Sequence, residues 1–417
     1  MRLEEFGLAE AAIWEAFPKG ESVDLSGWKD ASVRASVLRA LLLDAQSVQA
    51  GEMPSLCVFG ARITGSLELS GTDIRYLIRL EKCHFEERIV IRGSRLRQVD
   101  LATSSFPGLV ASSALIDGDL RLTGCRSSGE IDLAGARITG TLTLNDALLE
   151  SDEVALRGSR LTVESDILGR EGLVCNGQIN LRSAEILGSI QLEGASIKAA
   201  PGLDAFSAEG ISVGAMVNCC DGFTAQGGIN LAFAKVHSRI CFDDAELASP
   251  DGTILTALHL HANELVLRTA TPIEGFVELR HARIGVIRDD PRTWPTLIAQ
   301  DGLVYDVLDP ELPAAARLGW LERDVAGLLP HAYEQLAVTY RRLGLDVDAR
   351  TVLLAKQRSR RKSLPLYGRV WGYLQDWIVG YGYRPVRAAG WLSLAFVLGA
   401  TFFVLNNPPA RRGRKGA

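Results

Sequence analysis

Residues 129–149, GEIDLAGARITGTLTLNDALL, state one pattern twice, with Gly-Glu-Ile-Asp-Leu-Ala-Gly-Ala-Arg-Ile starting at Gly129 and Gly-Thr-Leu-Thr-Leu-Asn-Asp-Ala-Leu-Leu at Gly140, eleven positions on. Written as G-x-(I/L)-x-L-x-x-A-x-(I/L), the unit recurs at Gly65, Gly118, Gly177, Gly188, Gly227 and Gly275, with degenerate copies at Tyr76, Glu87 and Ser238. Pairs of units return after 48 to 50 residues, from 129/140 to 177/188 to 227/238. A chain built this way has few folds open to it, because one short unit cannot bury an apolar face by itself and its copies must stack.

The period inside the unit identifies its element. Ile131-x-Leu133, Leu142-x-Leu144 and Ile190-x-Leu192 alternate as a strand does, every second side chain pointing inward. Ala136, Ala147, Ala184, Ala195, Ala234, Ala245 and Ala282 read as a slot that demands a small inward side chain, and the glycines read as sharp corners. These features predict a mainly β chain whose residues 51–288 form a right-handed β-helix of roughly 20 to 25 residues per coil.

The small-x-(Leu/Ile) rhythm and the inward Leu/Ile stack resemble the pentapeptide-repeat family and related right-handed β-helices, although the strict five-residue A-(D/N)-L-x-x register does not hold. The resemblance covers about half the chain. Over its whole length the chain resembles an actinobacterial group of solenoid proteins with a C-terminal membrane anchor, often labelled membrane-associated oxidoreductase.

Stacked coils expose an open edge at each end, so caps are expected on both sides. Residues 1–50 predict an N-terminal helical cap with amphipathic helices over 8–17 and 30–43, the second presenting Val33, Val37, Leu38, Leu41 and Leu42. Asp289-Asp290-Pro291 and Trp294-Pro295 break the repeat, and residues 289–362 then predict a helical region. Tyr333, Leu336, Tyr340 and Leu343 before Gly344, followed by Ala349, Val352 and Leu353, resemble one tetratricopeptide-like helix pair, suited to capping or docking.

Charge divides the chain. From Lys356 onward there are 12 basic residues against Asp376 alone, and subtraction from the totals of 45 and 50 leaves 33 basic and 49 acidic residues before it, a balance of −16. Residues 388–405 carry no charge over 18 positions, about 27 Å as a helix, and predict a transmembrane span. Upstream, residues 363–387 predict an interfacial segment with Tyr367, Trp371, Tyr373, Trp377, Tyr381 and Tyr383, aromatics with one wet and one apolar end. Lys356, Arg358, Arg360, Arg361 and Lys362 have the density expected of contacts to anionic lipid headgroups. The acidic body argues against nucleic acid as a partner. Residues 406–417 form a basic tail with Arg411, Arg412, Arg414 and Lys415. The opening Met-Arg-Leu-Glu-Glu-Phe lacks the basic and apolar regions of an export signal, and the late single span predicts a tail-anchored protein of the cell membrane with its body in the cytoplasm.

Chemistry-bearing patterns are sparse. No G-x-G-x-x-G, P-loop or nucleophile motif marks a cofactor or catalytic site, so no cofactor and no catalytic residue is assigned. Cys57, Cys83, Cys125, Cys175, Cys219, Cys220 and Cys241 form no C-x-x-C; Cys83 and Cys125 take the small slot, and buried packing is the expected role. His259-Leu-His261 would place two imidazoles on one strand face with His281 a rung away, the one constellation with metal-ligand chemistry. The outward ladder Glu68, Arg79, Val90, Arg121, Asp132, Thr143, Asn180, Gln191, Asn230, Cys241, Glu278 mixes charge and reads as a solvated face, unlike the clustered carboxylates of β-helix polysaccharide enzymes.

These readings together predict a non-enzymatic, membrane-tethered solenoid that acts as a scaffold for a protein partner. The family resemblance implies instead an oxidoreductase or its accessory subunit. The acidic body raises a DNA-mimic inhibitor, and the Tyr-Gly-Tyr-Arg-Pro lead into the apolar segment resembles that of channel or transporter accessory subunits.

Overall fold

The computed structural model describes residues 6–46, 51–170, 172–249, 252–327, 329–362, 365–379, 381 and 385–406. They fall into two units, Met1–Glu311 with Arg323–Val325, and Leu312–Glu322 with Ala326–Ala417.

The first unit is a parallel β-solenoid whose coil has four short faces. One coil places them at Val99–Asp100, Ser105–Phe106, Leu109–Val110 and Leu115–Ile116. The next repeats them at Leu120–Arg121, Arg126–Ser127, Ile131–Asp132 and Arg137–Ile138, each strand lying parallel on its counterpart. The eleven-residue unit is therefore half a coil: the copy at Gly129 supplies the third and fourth faces, and the copy at Gly140 the first face of the following coil and the start of its second. The longer period is two coils, since Leu142 stacks on Ile167 and Ile167 on Ile190, 48 residues from first to last.

Coil length varies with the loops at the corners. The register step is 21 residues from Ile78 to Val99 and 27 from Ile190 to Val217, longer than the expected upper limit. Between those latter two, the second face ends at Lys198 and the third begins at Asp204. Extra residues there leave the inward positions in step, so Ile190 and Val217 are both buried.

Two corners of the coil are tight turns with a left-handed residue. Ser113, Arg160, Phe233, His259 and His281 all have φ between 53° and 59°. The residue after each closes a turn by donating its N–H to the carbonyl three residues back, as from Ala114 to Ala111 and from Ala282 to Leu279. That next residue is the slot read as requiring a small side chain. The structure corrects this reading, because Leu161, Ile211, Leu260 and Leu303 make the same turn bond and are as buried as Ala136 or Ala184. The slot points into a core wide enough for Leu, and it also takes Ser94 and Ser104, whose buried hydroxyls donate to the carbonyls of Ile91 at 2.6 Å and Leu80 at 2.7 Å, so it is limited neither to small nor to apolar side chains. A size limit applies at some of the repeat glycines: a Cβ on Gly188 would stand 2.7 Å from the carbonyl oxygen of Ser165 on the preceding coil, whereas Gly65 has nothing within 4 Å.

The stack extends beyond residues 51–288 on both sides. Ser22–Asp24 pairs with Cys57–Phe59 and Ser32–Arg34 with Arg62–Thr64. At the other end Leu297–Ala299 and Val304–Asp309 add a further coil. Pro291 and Pro295 lie in the loop between Arg283–Asp289 and Leu297–Ala299, where no ladder N–H is needed, so they interrupt the repeat without ending the stack.

Helices α1 (Leu8–Ala16) and α2 (Ala35–Leu42) belong to the first coil. α2 buries Val37, Leu38, Leu41 and Leu42 as expected, whereas Val33 sits on the preceding strand. Glu10 of α1 ties helix to strand: Arg34 donates from Nε to Oε1 at 2.8 Å, from Nη2 to Oε2 at 2.7 Å and from its backbone N–H at 2.9 Å, and the Gly7 N–H donates at 3.1 Å.

The second unit is helical, with α3 (Ala314–Leu321), α4 (Pro330–Arg342), α5 (Asp346–Lys362), α6 (Leu366–Val379) and α7 (Pro385–Asn406). α4 and α5 form the expected helix pair, with Tyr333, Leu336, Tyr340, Ala349 and Val352 buried. Leu354 is buried where Leu353 was expected, and Leu343 is exposed. The Tyr340 hydroxyl donates to the Leu312 carbonyl at 2.6 Å and Asp348 Oδ1 accepts the Ala314 N–H at 2.8 Å, which fixes α3 against the pair.

Candidate functional site

The second unit holds the residues with the clearest environment-directed chemistry. Among the described residues one helix is long and apolar enough to cross a membrane, over Ala389–Asn406, with mean hydropathy 1.7 and none of that window buried. This is the expected span displaced by one residue. Leu392, Phe396, Val397, Phe402, Phe403, Val404 and Leu405 all face outward. Seven large apolar side chains exposed on one helix are not accounted for by water as the only solvent.

Helix α6 precedes it with a second exposed apolar stripe. Leu366, Tyr367, Val370, Tyr373, Leu374 and Trp377 recur at three- and four-residue spacing and are exposed. Trp377 meets Trp391 of α7 with ring centroids 4.8 Å apart, so the stripe and the span share an aromatic contact. Of the aromatics expected at an interface, Tyr367, Tyr373 and Trp377 lie on this stripe and Tyr381 is half-buried in the turn that follows. The side chain of Trp371 and all of Tyr383 lie outside the described residues, as do the side chain of Lys362 and the tail from 407.

The basic cluster on α5 is engaged within the unit. Arg358 donates to Asp376 from Nε at 3.0 Å and Nη2 at 2.9 Å, and Arg361 adds a contact of 3.2 Å. Arg361 also lies over the Tyr373 ring, 3.9 Å from its centroid. Lys356 pairs with Glu334 of α4. Burial alone would raise the Asp376 carboxyl; the bonds from Arg358 and Arg361 outweigh it and hold the group below the ordinary carboxylate range. Asp376 is the residue that charge counting noticed and did not place. As the single acid after Lys356 it was visible as an exception, and its part is to lock α5 to α6.

In the solenoid the three histidines separate. His259 and His281 occupy the same left-handed corner of consecutive coils, their rings stacked at 4.9 Å and 19°, and Phe233 continues the column at 5.2 Å and 18° from His259. His261 is two residues further on, at the start of a fourth-face strand. The expectation of His259 and His261 on one strand face is thereby corrected: the corner turn falls between them. Among the described residues no group of three or more His, Cys, Asp and Glu could hold a metal.

All seven cysteines are free and buried. Burial pushes the thiol of Cys83 up to about 11 and those of Cys125 and Cys175 up to about 12. Cys220 and Cys241, with Val266, form a small cluster. Their mutual hydrogen bond raises Cys220 and lowers Cys241 to about 7. No protein-family model, curated protein or solved structure matches the chain.

Proposed function

We propose that the protein is a membrane-tethered β-solenoid that holds a partner protein at the surface of the cell membrane. The observation that carries this reading is the unburied apolar helix Ala389–Asn406, joined through Trp377 and Trp391 to the exposed aromatic stripe of α6. Aromatics beside an apolar span are suited to the headgroup level, and the span itself to the hydrocarbon. The solenoid offers a long surface of stacked rungs, a form that serves binding along its length.

Free, buried cysteines throughout the solenoid support a reducing compartment, so the body is assigned to the cytoplasmic side. The test is protease treatment of sealed vesicles of known orientation. Digestion of the solenoid in inside-out vesicles, with protection in right-side-out ones, is expected. The reverse pattern would place the body outside and remove the cytoplasmic scaffold.

A further inference from the structure

Within the second unit, α5 and α6 form two adjoining cavities of opposite character. One, of about 500 Å³, is lined by Arg358, Ser359 and Arg361 of α5, by Arg369 and Tyr373 of α6, and by Glu322, which follows α3. The other, of about 650 Å³, is lined by the exposed stripe of Tyr367, Val370, Tyr373, Leu374 and Trp377. Tyr373 lines both, so an arginine-lined space and an apolar one meet at a single ring. The apolar one ends at Trp377, whose contact with Trp391 joins it to the span.

The arginines are held in place without being used up. Arg358 gives Asp376 its Nε and Nη2, and Arg361 gives Asp376 and the Gly372 carbonyl its Nη1. A guanidinium has five N–H donors. Among the described residues Arg358 Nη1 and Arg361 Nε and Nη2 have no hydrogen-bond partner. Gly372 lets Arg361 lie this close to α6, because a Cβ there would stand 2.8 Å from the Arg361 Cδ. Asp376, Gly372 and the Tyr373 ring thus fix the guanidinium before any ligand arrives, which lowers the ordering cost of binding. Three arginines against Asp376 and the exposed Glu322 leave a balance of +1 (three minus two). A phosphodiester carries one negative charge on oxygens that suit guanidinium donors. With an apolar cavity alongside, the matching ligand has a phosphodiester at one end and hydrocarbon at the other. From Lys356 onward 12 basic residues face Asp376 alone, a field that favours an anionic headgroup over one carrying its own cation.

We propose that the cavity between α5 and α6 seats the headgroup of one anionic glycerophospholipid, its phosphodiester held by Arg358, Arg361 and Arg369 and an acyl chain lying along Val370, Leu374 and Trp377. The proposal rests on the tether reading and replaces diffuse attraction to a charged surface with a single seat. It is tested by native mass spectrometry of the full-length protein from dodecyl maltoside micelles, titrated with dioleoyl phosphatidylglycerol, dioleoyl phosphatidylcholine and glycerol 3-phosphate. Saturable binding of one phosphatidylglycerol is expected, with phosphatidylcholine at least fivefold weaker and glycerol 3-phosphate, a headgroup without chains, at least tenfold weaker. Arg369→Gln, at an exposed position, is expected to weaken phosphatidylglycerol at least fivefold. Arg360→Gln removes the same charge from the same basic run but outside the cavity lining, and should change it less than twofold. The assignment is overturned by equal affinity for the two lipids, by glycerol 3-phosphate binding as tightly, by no loss in Arg369→Gln, or by equal loss in Arg360→Gln. Alkaline carbonate washing of membranes separates the two ways of failing: a retained protein with no headgroup preference loses the seat and keeps the tether, whereas a released protein loses both.

Discussion

Glu10 shows how a single side chain closes the first coil. Burial by itself would raise its carboxyl, but the bonds from the Arg34 guanidinium and from the N–H groups of Arg34 and Gly7 hold it below the ordinary range. A carboxylate with a lowered folded-state value contributes stability that is fully present above its unfolded value of about 4.3 and is lost as pH falls through the folded one. Glu10→Gln is therefore expected to cost about 1–3 kcal/mol at pH 7, from loss of bonds to a charged acceptor. Urea unfolding of the two proteins at pH 7 and pH 3 reads this directly: the difference should shrink at the lower pH, and an equal difference at both would show that the charge is not what stabilises the coil. At this scale the sequence was legible where alternation fixes direction, as at Ile131 and Leu133. It misled where one residue type filled a slot by repetition, since Ala136 and Ala184 suggested a size limit that Leu161 and Ile211 do not obey. His259 was misplaced because a left-handed corner separates it from His261, at the repeat position that Gly135, Asp146, Gly194 and Asp244 fill in other copies, so the mark of the corner lies in those copies and not in His259 itself.

At the scale of the element, the eleven-residue unit is not a coil. Two successive units make four faces, and the halves differ in their corner loops and in their cross-coil partners. Asp119 Oδ1, for example, accepts the Thr141 N–H of the next coil at 3.0 Å. Deleting residues 118–139 removes one whole coil and joins equivalent corners, so the remaining interfaces are of the kinds already present. Deleting residues 129–139 removes half a coil and turns all later coils by half a turn against the earlier ones. Thermal unfolding followed by circular dichroism is expected to show the first deletion within about 3 °C of the parent and the second lower by more than about 5 °C, a difference of order 2 kcal/mol. Equal transitions would mean that the halves are interchangeable and that four distinct faces are not specified. The repeat made this element readable over most of its length. It failed at the far end because the prolines that interrupt the pattern sit in a corner loop, and Val304–Asp309 continues the stack with a sequence no longer similar to the unit.

On the scale of the whole molecule, the solenoid is acidic and the helical unit basic, and the helical unit carries the one apolar helix, among the described residues, long enough to cross a membrane. The apolar run was legible because 18 uncharged residues admit few readings. The basic cluster before it was read by density alone, and density does not reveal that Asp376 and Tyr373 engage Arg361, or that Glu334 engages Lys356. The register of Lys235 on His261 and of His261 on Arg283 was not legible, since these residues are more than twenty positions apart and meet only once the coils are counted by faces. The account rests most heavily on the helix Ala389–Asn406 being solvated by lipid, with the solenoid folded independently of it. The direct measurement is alkaline carbonate extraction of membranes containing either the full-length protein or a chain ending before Ala388, with circular dichroism of the shortened form. The account predicts that the full-length protein stays in the membrane pellet and that the shortened chain is soluble with an intact β spectrum. Release of the full-length protein, or a shortened chain that no longer folds, would make the helix a core element and contradict it.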